Sequence, residues 1–468
     1  MSVVNRRLMW LAVAGGVAIG VIWTLSPMTV LFALGVVPLV RWTAHGLPPA
    51  ERRRLAVLLV IAIALRVAAI AILFATADRN AGSFATLFGD EQFLELRALW
   101  VRNLALQIPI SHESFIYSGS GTGWTSYIPV AAAVQLLVGP APYGMRLFDL
   151  LLFLAAALAL FRAARRSFGA ATAFGGLAMI LWMPSLFAWS ISALKEPLYL
   201  FFVTASILGA VHACRASTRW PVRAAMIVLV LISVMLVESV RPGGRTLMIG
   251  SLVAGAAFRL LAWNRRVAFV SAIAAPLVIA LTLSTVPRAS DLVLKQIEWG
   301  ARWHRGHVFT KGHSYKALDA RFYIYNSTMS DVYTMTPPEA ARYVIRQVWA
   351  FGTVPLPWQA TSRAELLIIP EQLLIYGALL LMPIGLACAS RLDPVLTSFL
   401  SGYIAISWPV IAITSGNVGT VVRHRALVFP YIVWFSALGA AWLLRWLSQS
   451  HGTPTFGSHP LFPEDARA

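Results

Sequence analysis

The long, nearly uncharged apolar runs constrain this chain more than anything else in it. Leu55 to Thr76 carries one charge, Arg66, and comparable blocks recur along most of the 468 residues. A helix needs about 20 apolar residues to cross a hydrocarbon layer of about 30 Å. Half-buried elements of a soluble fold would alternate apolar with polar positions instead. With 58% hydrophobic and 12% charged residues, a water-soluble chain of this size could not hide its apolar side chains. The fold class expected is therefore an all-α polytopic membrane protein. Runs at 8–24, 28–41, 55–76, 144–161, 170–188, 196–213, 224–240, 246–262, 267–286, 366–388, 395–414 and 426–447 predict about twelve transmembrane helices. Residues 1–447 read as one helical unit and 448–468 as a polar, disordered cytoplasmic tail.

The formal net charge of +19 does not point to nucleic acid, because most Lys and Arg clusters flank apolar runs, where they meet anionic headgroups and set topology. Arg6-Arg7 before Leu8 to Trp23 resembles a signal peptide, but no A-x-A-like cleavage site follows, so this run is expected to be a retained helix. The segment Tyr127 to Gly139 is too short to span and suits a re-entrant or interfacial helix. If it does not cross, then Arg6-Arg7, Arg52-Arg53-Arg54, Arg162/Arg165/Arg166, Arg215/Arg219/Arg223, Arg259/Arg265/Arg266, Arg391 and Arg445 all face the cytoplasm, as the positive-inside rule asks. Both cysteines, Cys214 and Cys388, then sit near cytoplasmic helix ends, where a disulfide is not expected.

On that topology two large segments, about 77–143 and about 287–365, lie outside. The first contains Gly89-Asp90-Glu91, two adjacent carboxylates in a polar break, followed by a helical stretch from Gln92 to Gln107. Carboxylates at a membrane surface suit proton abstraction or metal binding. Asp90 is equally suited to N-cap the helix, with Glu91 as a first-turn acid. Phe93, Leu96, Trp100 and Leu104 fall on one face, with Glu95 and Arg102 away from it, as in a helix lying on a membrane. Gly119 to Trp124 is glycine-rich but lacks the lysine of a phosphate-binding loop. In the second segment, Ser290 to His304 predicts an amphipathic helix, and Thr336-Pro337-Pro338-Glu339 has the form of a capping box. Its many tryptophans and tyrosines suit sugar rings or the membrane interface. His304, His307 and His313 lack metal-site spacing. Asn326-Ser327-Thr328 fits a glycosylation sequon.

Three short outer connections are unusually polar: Trp189 to Pro197 with Lys195 and Glu196, Arg241-Pro242-Gly243-Gly244-Arg245, and Ser415 to Arg425 with Asn417, Arg423, His424 and Arg425. Outward arginines run against the positive-inside bias, and a bound anion such as phosphate would account for them. Snorkelling onto headgroups is the alternative. Within a predicted span, Arg66 needs a partner, with Asp149 and Glu238 as options.

Asp90-Glu91-Gln92-Phe93 resembles the Asp-Glu-x-x-Tyr signature in the first outer loop of the GT-C superfamily of membrane glycosyltransferases, with Phe93 in place of the aromatic Tyr. Tyr127–Gly139 followed by Met145 to Asp149 is similar to that family's surface helix and next span, and Arg165 to Gly169 and Met183-Pro184-Ser185 to its next turn and helix. The acidic signature usually follows the first span, whereas two apolar runs precede it here, and no large soluble C-terminal domain is present.

The resemblance implies a GT-C-like bundle in a bacterial inner membrane. It also implies an inverting hexosyl- or pentosyltransferase that takes its sugar from a polyprenyl-phosphate or polyprenyl-diphosphate and gives it to a glycan, lipid or protein acceptor at the outer face. Asp90 would be the general base, and Glu91 would assist acceptor binding or a metal. Lys195, Glu196, Arg241, Arg245, Asn417, Arg423, His424 and Arg425 would surround phosphate and substrate. A divalent cation such as Mg²⁺ or Mn²⁺ would take Asp90 and Glu91 as ligands; no other cofactor is expected. Competing readings are a polymerase or ligase of undecaprenyl-linked glycans, which would lean on arginine and histidine, a lipid-linked-sugar flippase, and a silent subunit of a glycan assembly complex.

Overall fold

A computed structural model describes residues 9–450, apart from 11, 18–19, 21–26, 78–85, 120–122, 141, 216, 263–265, 268–269, 271–273, 275–276, 279–280, 283, 311, 325–334 and 360–362. Arg6-Arg7 and about half of the run 8–24, Ser120 to Thr122, Arg265, much of 267–286, Lys311, the sequon at Asn326 and the tail beyond 450 lie outside the described residues.

The named elements are helical. In chain order they are α1 (Pro27–Ala44), α2 (Pro49–Ala75), α3 (Gly89–Ala105), α4 (His112–Gly119), α5 (Tyr127–Val138), α6 (Pro142–Phe168), α7 (Ala170–Trp182), α8 (Pro184–Ser190), α9 (Glu196–Cys214), α10 (Trp220–Val240), α11 (Gly244–Leu261), α12 (Pro287–Val308), α13 (Pro337–Thr353), α14 (Arg363–Leu392), α15 (Pro394–Ala412), α16 (Val418–Arg425) and α17 (Phe429–Ser450). Among the described residues nine helices are long and apolar enough to cross a membrane, or ten if α7 and α8 count as one broken span. By helix length and hydropathy this is a multi-pass membrane protein. The predicted runs from 28–41 onward, except 267–286, reappear as these helices, and Tyr127–Val138 is a 12-residue apolar helix, short of a crossing as expected.

Helix boundaries follow local chemistry. Proline opens α2, α12, α13 and α15, where its missing N–H and fixed φ cost nothing. Asp393 caps α15 by accepting from the backbone N–H groups of Val395 and Leu396. Pro184 breaks the predicted run 170–188, with Met183 before it extended, as a residue preceding proline prefers. The backbone N–H of Ser185 at the break donates to Glu371 Oε2 at 2.8 Å.

The chain divides into two compact units. Unit one comprises residues up to Leu160, Leu186–Thr204 and Met235–Gly244. In it α3 packs on α4 and α5, and Arg66 is fully buried. The options offered for Arg66 were Asp149 and Glu238. Its Nε donates to Ser190 Oγ at 2.8 Å, and the guanidinium lies over the rings of Phe187 and Phe153. Asp149 accepts from the Tyr127 hydroxyl at 2.6 Å.

Unit two comprises Phe161–Ser185, Ala205–Val234 and Arg245 onward. Its main contact is α14 against α17, where Gly385 and Gly439 bring the backbones so close that a Cβ on Gly385 would overlap the Phe435 carbonyl. Close approach through small residues is how helices associate in lipid. Beyond the spans, α12 and α13 enclose Ala301, Leu318, Phe322, Met335, Ala340 and Tyr343. The capping box forms, with the Thr336 N–H donating to Glu339 Oε2 at 2.9 Å.

Candidate functional site

The acidic signature lies in unit one, on the first turn of α3. The helix starts at Gly89, earlier than the predicted Gln92, and its N-cap is Phe88, so Asp90 does not cap it. Glu91, in the third helical position, reaches back and accepts the Leu87 N–H at 3.0 Å. A carboxylate here satisfies an orphan donor and complements the positive helix end.

Helical geometry sends these two neighbours about 100° apart. Asp90 is exposed and Glu91 fully buried. Glu91 Oε1 accepts from Arg146 Nε at 2.9 Å and from the Ala193 N–H at 2.8 Å. Phe88 stacks on Trp189, with ring centroids 3.9 Å apart. The α3 turn is thus clamped to the 189–193 segment, which runs directly into half-buried Lys195 and buried Glu196. With both Glu91 oxygens committed, Asp90 and Glu91 do not fit as joint ligands of a cation. No group of three or more His, Cys, Asp or Glu suited to a metal occurs among the described residues. Arg241 ends α10, near a hydroxyl contact of Ser239 with Ser126 at 2.8 Å.

The apolar face of α3 is partly exposed, through Phe93 and Leu104, while the opposite face packs inward. That inward face carries Glu91, Leu94, Glu95 and Ala98. Burial beside Glu91 pushes the Glu95 carboxyl up to about 8, with Arg146 opposing. The sequence pattern places Glu95 only as a charge away from the apolar face. The available signal was its spacing of four from Glu91, which puts both acids on one helix face.

The other predicted residues lie in unit two. Asn417 N-caps α16, accepting the Thr420 N–H at 2.7 Å and donating to Thr310 Oγ1 at 2.7 Å. His424 is buried, its Nδ1 2.8 Å from Ser415 Oγ. Arg425, 3% exposed, donates to Gln372 Oε1 at 2.6 Å and to the carbonyls of Phe351 and Val354. This guanidinium is a tie for the α13–α14 connection. Arg423 is half-buried and Arg245 exposed.

His304 anchors the turn before α16. Its Nδ1 lies 2.5 Å from the Ser415 carbonyl and its Nε2 2.7 Å from the Tyr323 hydroxyl. The Tyr323 oxygen accepts the Ala317 and Leu318 N–H groups, leaving its proton for Nε2. A neutral ring protonated at Nδ1 satisfies the Ser415 and Tyr323 contacts, with the Gln347 side-chain amide also 2.5 Å from Nδ1, and burial lowers the His304 pKa to about 4.

No family model, curated protein or solved structure matches this chain.

Proposed function

We propose that the protein is an inverting membrane glycosyltransferase. It moves a sugar from a polyprenyl-phosphate or polyprenyl-diphosphate onto a glycan, lipid or protein hydroxyl at the outer face of a bacterial inner membrane. The observation that carries this reading is the α3 turn: Asp90 is exposed outside the candidate spans, on a backbone held by Glu91 through Arg146, Ala193 and Leu87. A reactive carboxylate gains from such a fixed support. Asp90 takes the acceptor hydroxyl proton as general base, the oxygen attacks the anomeric carbon, and the lipid phosphate departs with the bonding electrons. Lys195 and Arg241, in the same unit, offer positive charge to that phosphate. Glu91 acts as a positioning residue, and Arg425, held by Gln372 and two carbonyls, as a scaffold.

The test is turnover of purified protein with a panel of polyprenyl-phosphate sugars. Asp90→Asn is expected to lower the rate by about 10²–10⁴-fold, the usual worth of a general base. Glu91→Gln removes the charge paired with Arg146 Nε and is expected to cost about 3–5 kcal/mol of stability, as broken buried ion pairs do. Lys195→Ala and Arg241→Ala are expected to raise KM for the lipid donor. Wild-type turnover in Asp90→Asn would remove the acid from the mechanism and favour an arginine-dependent polymerase or ligase.

A further inference from the structure

Glu95 lies one turn beyond Glu91 on the same face of α3, 3% exposed, and both of its carboxyl oxygens are enclosed without a hydrogen-bond partner. On α3 itself Glu91 repels it, and from α6 Arg146 attracts it, but Arg146 Nε already serves Glu91. From α5 the nearby titratable group is Tyr127, whose hydroxyl is given to Asp149 of α6. On α4, His112 and Glu113 are exposed and Tyr117 faces Arg97, which also lies over Phe93. An ionised carboxylate enclosed without a donor is so unfavourable that the group takes up a proton instead. A proton, unlike a metal or a sugar, needs no cavity.

We propose that Glu95 is a proton-binding site whose occupancy controls the seating of the α3 first turn. When the proton leaves, a second negative charge stands beside Glu91 and competes with it for Arg146. Glu91 is the group that holds Leu87 and Ala193, so the turn bearing Asp90 loosens. Glu95 is thus a positioning residue, and the inference stands or falls independently of glycosyl transfer.

The sign is definite. The folded chain keeps this proton up to about 8, whereas an unfolded one loses it near 4.5. Across that interval the folded state binds more protons, so stability falls as pH rises, by up to about tenfold in the folding equilibrium per pH unit, and levels off above it.

The experiment is thermal unfolding of the full chain in detergent from about pH 5 to about pH 9, the interval this linkage covers, with infrared difference spectra of the protonated carboxyl stretch, for wild type, Glu95→Gln and Glu95→Asp. Expected are a loss of wild-type stability across this range that Glu95→Gln lacks, a carboxyl band that titrates in wild type and is missing from Glu95→Gln, and a shifted midpoint in Glu95→Asp. Identical pH profiles and carboxyl bands in wild type and Glu95→Gln would overturn the proposal. Should Glu95→Gln not fold, an unshifted carboxyl midpoint in Glu95→Asp overturns it as well.

Discussion

Asp90 and Glu91 are adjacent in the chain and chemically alike, yet the helix gives them opposite tasks. One residue of rotation separates an exposed carboxylate from one wholly consumed in holding the turn. The same contrast recurs among the histidines. His424 meets Ser415 Oγ, whereas His304 is enclosed as a neutral ring between the Ser415 carbonyl and Tyr323. Because folding holds the His304 pKa at about 4, below the usual 6.5 of an unfolded histidine, the unfolded chain binds the extra proton as pH falls. Stability is therefore complete above about 6.5 and is lost by up to about tenfold in the folding equilibrium per pH unit down to about 4. His304→Gln is expected to be less stable at neutral pH but to lack this acid-induced fall, as read by thermal unfolding between the two limits. An equal acid slope in both proteins would mean that His304 is not the group responsible.

At the scale of elements, one helix shows what a single strand of letters conceals. In α3 the apolar face is partly exposed and the charged face is turned inward, because a buried acid finds Arg146 and backbone donors inside that lipid cannot provide. Spacing identified the two faces correctly, but it could not say that Glu95 would be covered by protein. Elsewhere local signals sufficed: Thr336-Pro337-Pro338-Glu339 forms its capping box, and Pro184 stops α7. Helix contact in unit two depends on Gly385 and Gly439. Gly385→Ala is expected to cost about 1–3 kcal/mol, as overpacking does, seen as a lower unfolding temperature in detergent. Gly377→Ala, in the same helix with open space around its Cβ, is expected to be neutral or to stabilise by about 0.5–1 kcal/mol. Equal effects at the two positions would show that backbone approach does not govern this contact.

For the whole molecule, the topology drawn from charge makes its own claim. Exposed Cys214 ends α9 on the expected cytoplasmic side, and Ser111, exposed between α3 and α4, is expected outside. A membrane-impermeant maleimide should label Cys214 only in inside-out vesicles, and Ser111→Cys, made without the native cysteines, only in right-side-out ones. Labelling of both from one side would reverse the assignment on which the outer-face reaction depends.

From the sequence alone one could read the membrane class, the positions of most of the spans and the short reach of Tyr127–Val138. Hydrocarbon thickness and backbone hydrogen bonding act on contiguous residues, so their demands are written along the chain. Folding settled what each charge touches: Arg66 meets Ser190, Glu91 meets Arg146 and Ala193, and Arg425 meets Phe351 and Gln372. These partners lie from 53 to 124 residues apart, and a buried charge is satisfied by whatever donors packing brings beside it, which no local pattern encodes.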